Sequence, residues 1–166
     1  MRIVSIIIFI LVLMFIQVGI LPHLAILGSF PNLILLSILS LNILQGWKKS
    51  LGWIIIGGLF LDFYSLHNVL GISIIALFFA GYLAYFLSQN IFKKTSIFSL
   101  FSIFLITIFL YSFILLISLK IFGISFEFTF LNFPIGIVYN LLFALPIFFL
   151  IKYVQGFKKV QNKKKI

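Results

Sequence analysis

The chain has 166 residues, of which 64% are hydrophobic and 8% are charged, and its formal net charge is +10. A water-soluble fold of this size needs more polar surface than this composition supplies, so we expect an integral membrane protein. The chain has no cysteine, which excludes disulfides, thiolate zinc sites and thiol nucleophiles. The basic residues form small clusters between apolar runs, a pattern typical of membrane topology rather than of nucleic-acid binding.

Six apolar runs are predicted to cross the membrane as helices, because one span needs about 20 apolar residues. In chain order they are residues 3–21, 31–47, 51–66, 70–92, 97–119 and 133–154. The first run is longer than a signal-peptide core and lacks a small-x-small cleavage site, so we interpret it as a retained span. The second and third runs are the shortest and should lie upright or thin the bilayer locally.

The distribution of Lys and Arg predicts the orientation of the chain. With the N-terminus inside, eleven of the twelve basic residues lie on one side and only Lys120 lies on the other. By the positive-inside rule, both termini should be cytoplasmic and the protein should reside in the cytoplasmic membrane. We expect one transmembrane domain over residues 1–166 with a basic tail at about 155–166. The outer loop at 121–132 should lie against the headgroups.

Asp62 is the only acidic residue inside a predicted span. An intramembrane carboxylate costs about 2.5–3.5 kcal/mol on insertion scales, so it normally faces protein or water. Gly58, one turn earlier, leaves room for a neighbouring helix, and Ser65 could donate a hydrogen bond. Asp62 could fix the bundle through a hydrogen bond to another helix, or it could serve a ligand, a proton or a partner.

Small and polar residues on the other spans indicate close helix packing. Three alanines recur at four-residue spacing on the fourth span: Ala76, Ala80 and Ala84. With Gly81 beside them, they predict an internal packing seam or a face for a partner helix. Asn42 and Asn140 could form interhelical hydrogen bonds, and Pro146 should bend the sixth helix.

The patterns that mark most enzymes are missing from the sequence. It has no glycine-rich phosphate loop, no nucleophile–base constellation and no cluster of metal ligands. Asp62 and Glu127 are the only acidic residues, and they fall in separate predicted environments. We therefore expect a protein that is not an enzyme and that needs neither cofactor nor metal.

Several short motifs follow one another between residues 30 and 86. They are Pro31-Asn32 before a leucine-rich run, Gly58 and Asp62 in a Gly-x-x-x-Asp pattern, Leu70-Gly71 after a short loop, and Gly81-Tyr82. Asn140 before Pro146 in the last span also fits. In this order and spacing, the segment resembles the bacterial rod shape-determining protein family MreD.

The resemblance implies a non-enzymatic membrane component of the cell-elongation machinery, which controls rod shape and peptidoglycan synthesis. Such a component would bind a single-span protein of the MreC kind and work with the peptidoglycan synthase and the cytoskeletal filament. The motif residues are then candidates for structural or partner contacts: Pro31, Asn32, Gly58, Asp62, Gly71, Gly81 and Asn140. The family is similar in fold to the substrate-binding subunits of energy-coupling-factor vitamin transporters, so such a subunit is the alternative function.

Overall fold

The computed structural model describes residues 2–26, 28–65, 69–92, 96–123 and 132–155. In these ranges the chain forms helices and no strand, apart from an isolated bridge between Ile26 and Ser29. The six helices are α1 (Arg2–Gly19), α2 (Leu33–Gln45), α3 (Trp47–Tyr64), α4 (Ile72–Phe86), α5 (Ile97–Ile121) and α6 (Asn132–Val154). A 3-10 turn, Leu21–Leu24, follows α1, and a π-helical turn, Leu87–Ile91, continues α4. The prediction of an all-helical fold is confirmed for this part of the chain.

Three of the described helical segments are long and apolar enough to span a membrane: Ile72–Ile91, Ile97–Ile121 and Phe133–Val154. The apolar segments of α1 and α2, Ile7–Gly19 and Leu33–Gln45, are shorter. Helix α3 has 18 residues but contains two lysines and Asp62. The three long segments indicate a membrane protein, and a crossing by all six helices stays a prediction.

Helix α2 lies at the centre of the bundle. Every residue from Leu33 to Ile43 is buried. Helices α1, α3, α4 and α6 pack around α2, and α5 packs between α4 and α6. The 13 residues of α2 extend about 20 Å, which is less than the roughly 30 Å of a hydrocarbon core. The short second run of the sequence is therefore a helix enclosed by protein, whereas large exposed apolar side chains lie on the surrounding helices.

Glycine allows α3 and α4 to approach their neighbours closely. A Cβ atom added to Gly58 would lie 2.8 Å from the Cα atom of Ile74 in α4. One added to Gly57 would overlap side chains of α2. A Cβ atom on Gly81 would lie 3.0 Å from Nδ2 of Asn42. The space expected beside Gly58 is thus filled by the backbone of α4.

The alanine stripe of α4 faces the interior of the bundle. Ala76, Ala80 and Ala84 are each 0% exposed. Helix α4 packs against α2, α3 and α5, and small side chains permit these contacts at short interaxial distance. The expected internal seam is therefore present.

The connection between α2 and α3 differs from the prediction. The second span was expected to begin at Pro31, but α2 begins at Leu33 with Asn32 as its N-cap. Gly46, with φ of +85°, is the single residue between Gln45 and Trp47. Because glycine adopts positive φ without steric cost, the chain reverses there without a loop. Lys48 and Lys49, which fall between the second and third predicted spans, lie in the first turn of α3.

Other predicted features fall at the edge of the described residues. Helix α5 continues to Ile121, and most of the predicted outer loop, with Glu127, lies outside the described ranges, as does the basic tail beyond residue 155. Pro146 lies inside α6, which extends to Val154.

Candidate functional site

A partly enclosed cavity of about 720 Å³ lies at one end of the bundle. Its lining comes from α1, α3, α4, α5, α6 and the segment before α2, but not from α2 itself. The cavity therefore occupies the volume beyond the N-terminal end of the short central helix. We call it the polar cavity after six side chains of its lining: Gln17, Asn32, Asp62, Ser73, Tyr111 and Asn140.

Asp62 caps the N-terminus of α4. The backbone N–H of Gly71 donates to Oδ2 of Asp62 at 2.6 Å, and that of Ser73 donates to Oδ1 at 2.8 Å. The carboxylate is only 4% exposed. It satisfies N–H groups that have no partner within the helix, and its charge lies at the positive end of the helix dipole. Of the roles considered for Asp62, a hydrogen bond that ties one helix to another is present in the structure.

Gly71 gives the capping segment its shape. It is the N-cap residue of α4 and has φ of +102°. A side chain at this φ would be strained, because the left-handed region is costly for residues with a Cβ atom. The Leu70-Gly71 pair of the sequence therefore marks the turn that delivers two N–H groups to Asp62.

The N-terminus of α2 is capped by three side-chain oxygens. The N–H of Leu33 donates to Oε1 of Gln17 at 2.7 Å. The N–H of Asn32 donates to Oδ1 of Asn140 at 2.8 Å. The N–H of Leu35 donates to Oδ1 of Asn32 at 2.9 Å. These bonds fix α1 and α6 to the start of the central helix, so the interhelical role expected of Asn140 is observed.

Gln17 and Tyr111 were missed by the sequence analysis. Gln17 is 2% exposed, and the hydroxyl of Tyr111 lies beside the side chains of Ser73 and Asn32. Gln17 is the only amide among residues 3–21, a signal that could have identified it. Tyr111 offered no such signal, because the chain contains 23 Phe and 6 Tyr and one more aromatic residue on a span is unremarkable.

One hydrogen-bond expectation, that of Ser65, is met through the backbone, and another, that of Asn42, is corrected. The hydroxyl of Ser65 donates to the backbone oxygen of Asp62 at 2.9 Å, not to its carboxylate. Asn42 donates to the backbone oxygen of Ile38 in its own helix at 2.9 Å. Its Oδ1 atom has no partner among the described residues. Gly81 of α4 lies against the other end of this amide, since a Cβ atom there would be 3.0 Å from Nδ2 of Asn42.

The remaining candidates lie just outside the polar cavity. Pro31 is buried and immediately precedes the N-cap of α2. Gly58 is one turn before Asp62 on the contact between α3 and α4, and Gly81 lies deeper, against α2 and α3. Of the seven residues singled out in the sequence, Asn32, Asp62 and Asn140 line the cavity. Gly71 does not line it but donates a hydrogen bond to Asp62, which does.

The arrangement is suited to binding and to holding helices in place. In the described part of the chain, no group of three His, Asp or Glu side chains could hold a metal ion. The carboxylate oxygens of Asp62 already accept hydrogen bonds from two backbone N–H groups. Comparisons with protein-family models, with curated proteins and with solved structures find no match for this chain.

Proposed function

We propose that this chain is a non-enzymatic membrane subunit of the bacterial cell-elongation machinery, of the MreD kind. It crosses the cytoplasmic membrane six times with both termini in the cytoplasm. It holds a single-span partner of the MreC kind through contacts within the membrane, and it works with the peptidoglycan synthase and the cytoskeletal filament.

The observation that best supports this proposal is the position of the motif residues at junctions between helices. Asp62 joins α3 to α4 through Gly71. Asn140 joins α6 to the start of α2 through Asn32. Gly81 brings α4 against α2. Motif residues used in this way maintain the shape of a bundle, which is what a scaffold subunit requires.

The cleft between α1 and α3 is the place we propose for the partner helix. Both helices pack on α2, and between them lies a small, mainly apolar depression lined by Met14 of α1, by Trp53, Ile56 and Gly57 of α3, and by α2 residues that include Ser37. The depression has a volume of only about 10 Å³, so a single transmembrane helix would pack across the faces of α1 and α3 that border it, where association depends on close packing. The apolar lining matches a span whose own surface is apolar.

Affinity purification in mild detergent, with identification of the bound proteins, tests this proposal. We expect a single-span protein to be recovered with the wild-type chain and several-fold less with Ile56→Trp, which fills the cleft. Ile75→Trp on α4 is the matched control, because Ile75 is 51% exposed and Ile56 is 54% exposed. Equal recovery with both variants would exclude the cleft, and absence of any single-span partner would exclude the scaffold.

Depletion of the protein provides the cellular test. We expect an elongated cell to swell or become round, because the elongation machinery loses a membrane subunit. Vitamin uptake should be unchanged.

The second candidate function is that of a substrate-binding subunit of an energy-coupling-factor transporter. It is favoured by the polar cavity, since about 720 Å³ lies within the usual range of small-ligand sites. Co-purification with an energising ATPase, together with loss of uptake and normal cell shape on depletion, would establish this function in place of the scaffold.

A further inference from the structure

We propose that the polar cavity binds an uncharged amphipathic small molecule that carries at least one acceptor oxygen, such as an amide carbonyl. This goes beyond the proposed scaffold function, because partner binding is placed in the cleft between α1 and α3, and it names a ligand class for the cavity on which the second candidate function rests. The two sites share no lining residue, so either can fail without the other.

The apolar part of the ligand is inferred from the wall of the cavity. Between the polar groups, the lining is formed by large apolar side chains: Phe30, Leu61, Ile72, Leu115 and Leu119. Water in contact with these side chains is unfavourable, whereas an organic molecule with an apolar body would remove their surface from water. A ligand that is polar throughout would leave this part of the wall uncovered.

The acceptor oxygen is inferred from Gln17. Its Oε1 atom accepts the N–H of Leu33, and its Nε2 group carries two N–H donors. The side chain lines the cavity and is 2% exposed. A carbonyl or hydroxyl oxygen in the cavity could accept a hydrogen bond from this amide group. The hydroxyl of Tyr111, beside Asn32 and Ser73, is a second polar contact for the same ligand.

That the ligand carries no charge is inferred from the electrostatics of the cavity, in which positive and negative groups nearly cancel. Asp62 contributes a carboxylate, and the N-terminal ends of α2 and α4 both meet the cavity. Each helix end contributes roughly +0.5 of an elementary charge, so the two ends together approximately cancel the carboxylate. The described lining contains no Lys, Arg or His. An ion of either sign would lose hydration there without gaining a full counter-charge.

Protection of an introduced thiol tests the proposal, because the chain has no cysteine of its own. Ser65→Cys places a unique thiol in the cavity lining, and Val69→Cys provides a second reporter there. Leu70→Cys is the control, since Leu70 is 60% exposed and does not line the cavity. Each purified variant is labelled with N-ethylmaleimide in the presence of one of three similarly shaped probes: phenylacetamide, phenylacetate or phenethylamine.

We expect phenylacetamide to slow labelling at residues 65 and 69 at least three-fold at saturation and to leave residue 70 unaffected. Half-protection by either charged probe should need at least ten-fold higher concentration. Tyr111→Phe removes a hydroxyl that accepts none of the capping N–H groups and should raise the amide concentration for half-protection several-fold. The proposal is overturned if the amide protects neither lining position, if it slows all three positions equally, or if a charged probe protects as well.

Discussion

At the scale of single residues, Asp62 is the group whose loss should change the molecule most. Asp62→Asn keeps one acceptor oxygen and can retain one of the two bonds to α4, whereas Asp62→Leu leaves the N–H groups of Gly71 and Ser73 without an acceptor. Hydrogen bonds to charged groups contribute about 1.5–3 kcal/mol each. We therefore expect the thermal stability in mild detergent to fall in the order wild type, Asn, Leu.

Partner recovery from the same variants separates the possible roles of Asp62. A structural carboxylate predicts that Asp62→Asn retains the partner and that Asp62→Leu loses it. A proton carrier predicts loss of activity in both, because an amide does not titrate. Unchanged stability and function in Asp62→Leu would contradict the importance assigned to this residue.

Gly71 permits a second test at this scale. Its φ of +102° is unfavourable for any L side chain, and an added Cβ atom would meet nothing within 4 Å. Gly71→Ala should therefore destabilise the protein by about 1–2 kcal/mol through backbone strain alone. Gly52→Ala is the matched control, since Gly52 lies within α3 and its Cβ atom would also meet nothing. In a helix interior that change should be neutral or stabilise by about 0.5–1 kcal/mol. Thermal unfolding of Gly71→Ala and Gly52→Ala compares the two effects. Equal stability of the two variants would show that a side chain at position 71 causes no backbone strain.

Sequence reasoning identified these residues but not their contacts. Asp62 was conspicuous because a carboxylate in a span is rare, and Gly71 belonged to a motif. That the acceptor sites of Asp62 serve backbone N–H groups nine and eleven residues later could not be deduced, since every backbone N–H is alike in sequence. Gln17 could have been noticed as the only amide of its predicted span, but the backbone N–H that it contacts could not be deduced.

At the scale of elements, α4 is the helix with the most demanding packing. Ala80 is fully buried on the face that meets its neighbours, so Ala80→Leu should overpack the seam and cost about 1–3 kcal/mol. Ile75→Leu, a conservative change on the exposed face of the same helix, should have little effect. Melting profiles in detergent measure both effects. An unchanged profile for Ala80→Leu would contradict tight packing of α4 against its neighbours at this position.

The helices themselves could be predicted because their apolar runs are long and bounded by polar residues. The central position of α2 could not. Its sequence, LILLSILSLNILQ, is as apolar as that of the surrounding helices, and hydropathy does not distinguish a helix that faces lipid from one that faces protein. The only available clue was its length. The run was recognised as short and was interpreted as a mismatch with the bilayer rather than as burial.

At the scale of the whole molecule, the orientation is the property that most needs measurement. The polar cavity lies at the end of the bundle opposite Lys48 and Lys49, which is the predicted outer side. Single cysteines at Ser29 and Ser125 should react with impermeant thiol reagents in intact cells, and those at Lys48 and Lys164 should react only after lysis. Labelling of the lysine positions in intact cells would show that they lie outside the cell and would contradict the predicted six-span topology.

The single residue between α2 and α3 has a consequence for biosynthesis. A helix of 13 residues is too short to remain stably in a bilayer alone. Because only Gly46 separates α2 from α3, the two helices cannot move far apart during insertion. Helices α2 and α3 should therefore leave the translocon as one helical hairpin. In a chain that begins at Pro31, so that α1 cannot anchor it, we expect truncation after Gly46 to leave the segment extractable from membranes by alkali and truncation after Ser65 to make it resist extraction.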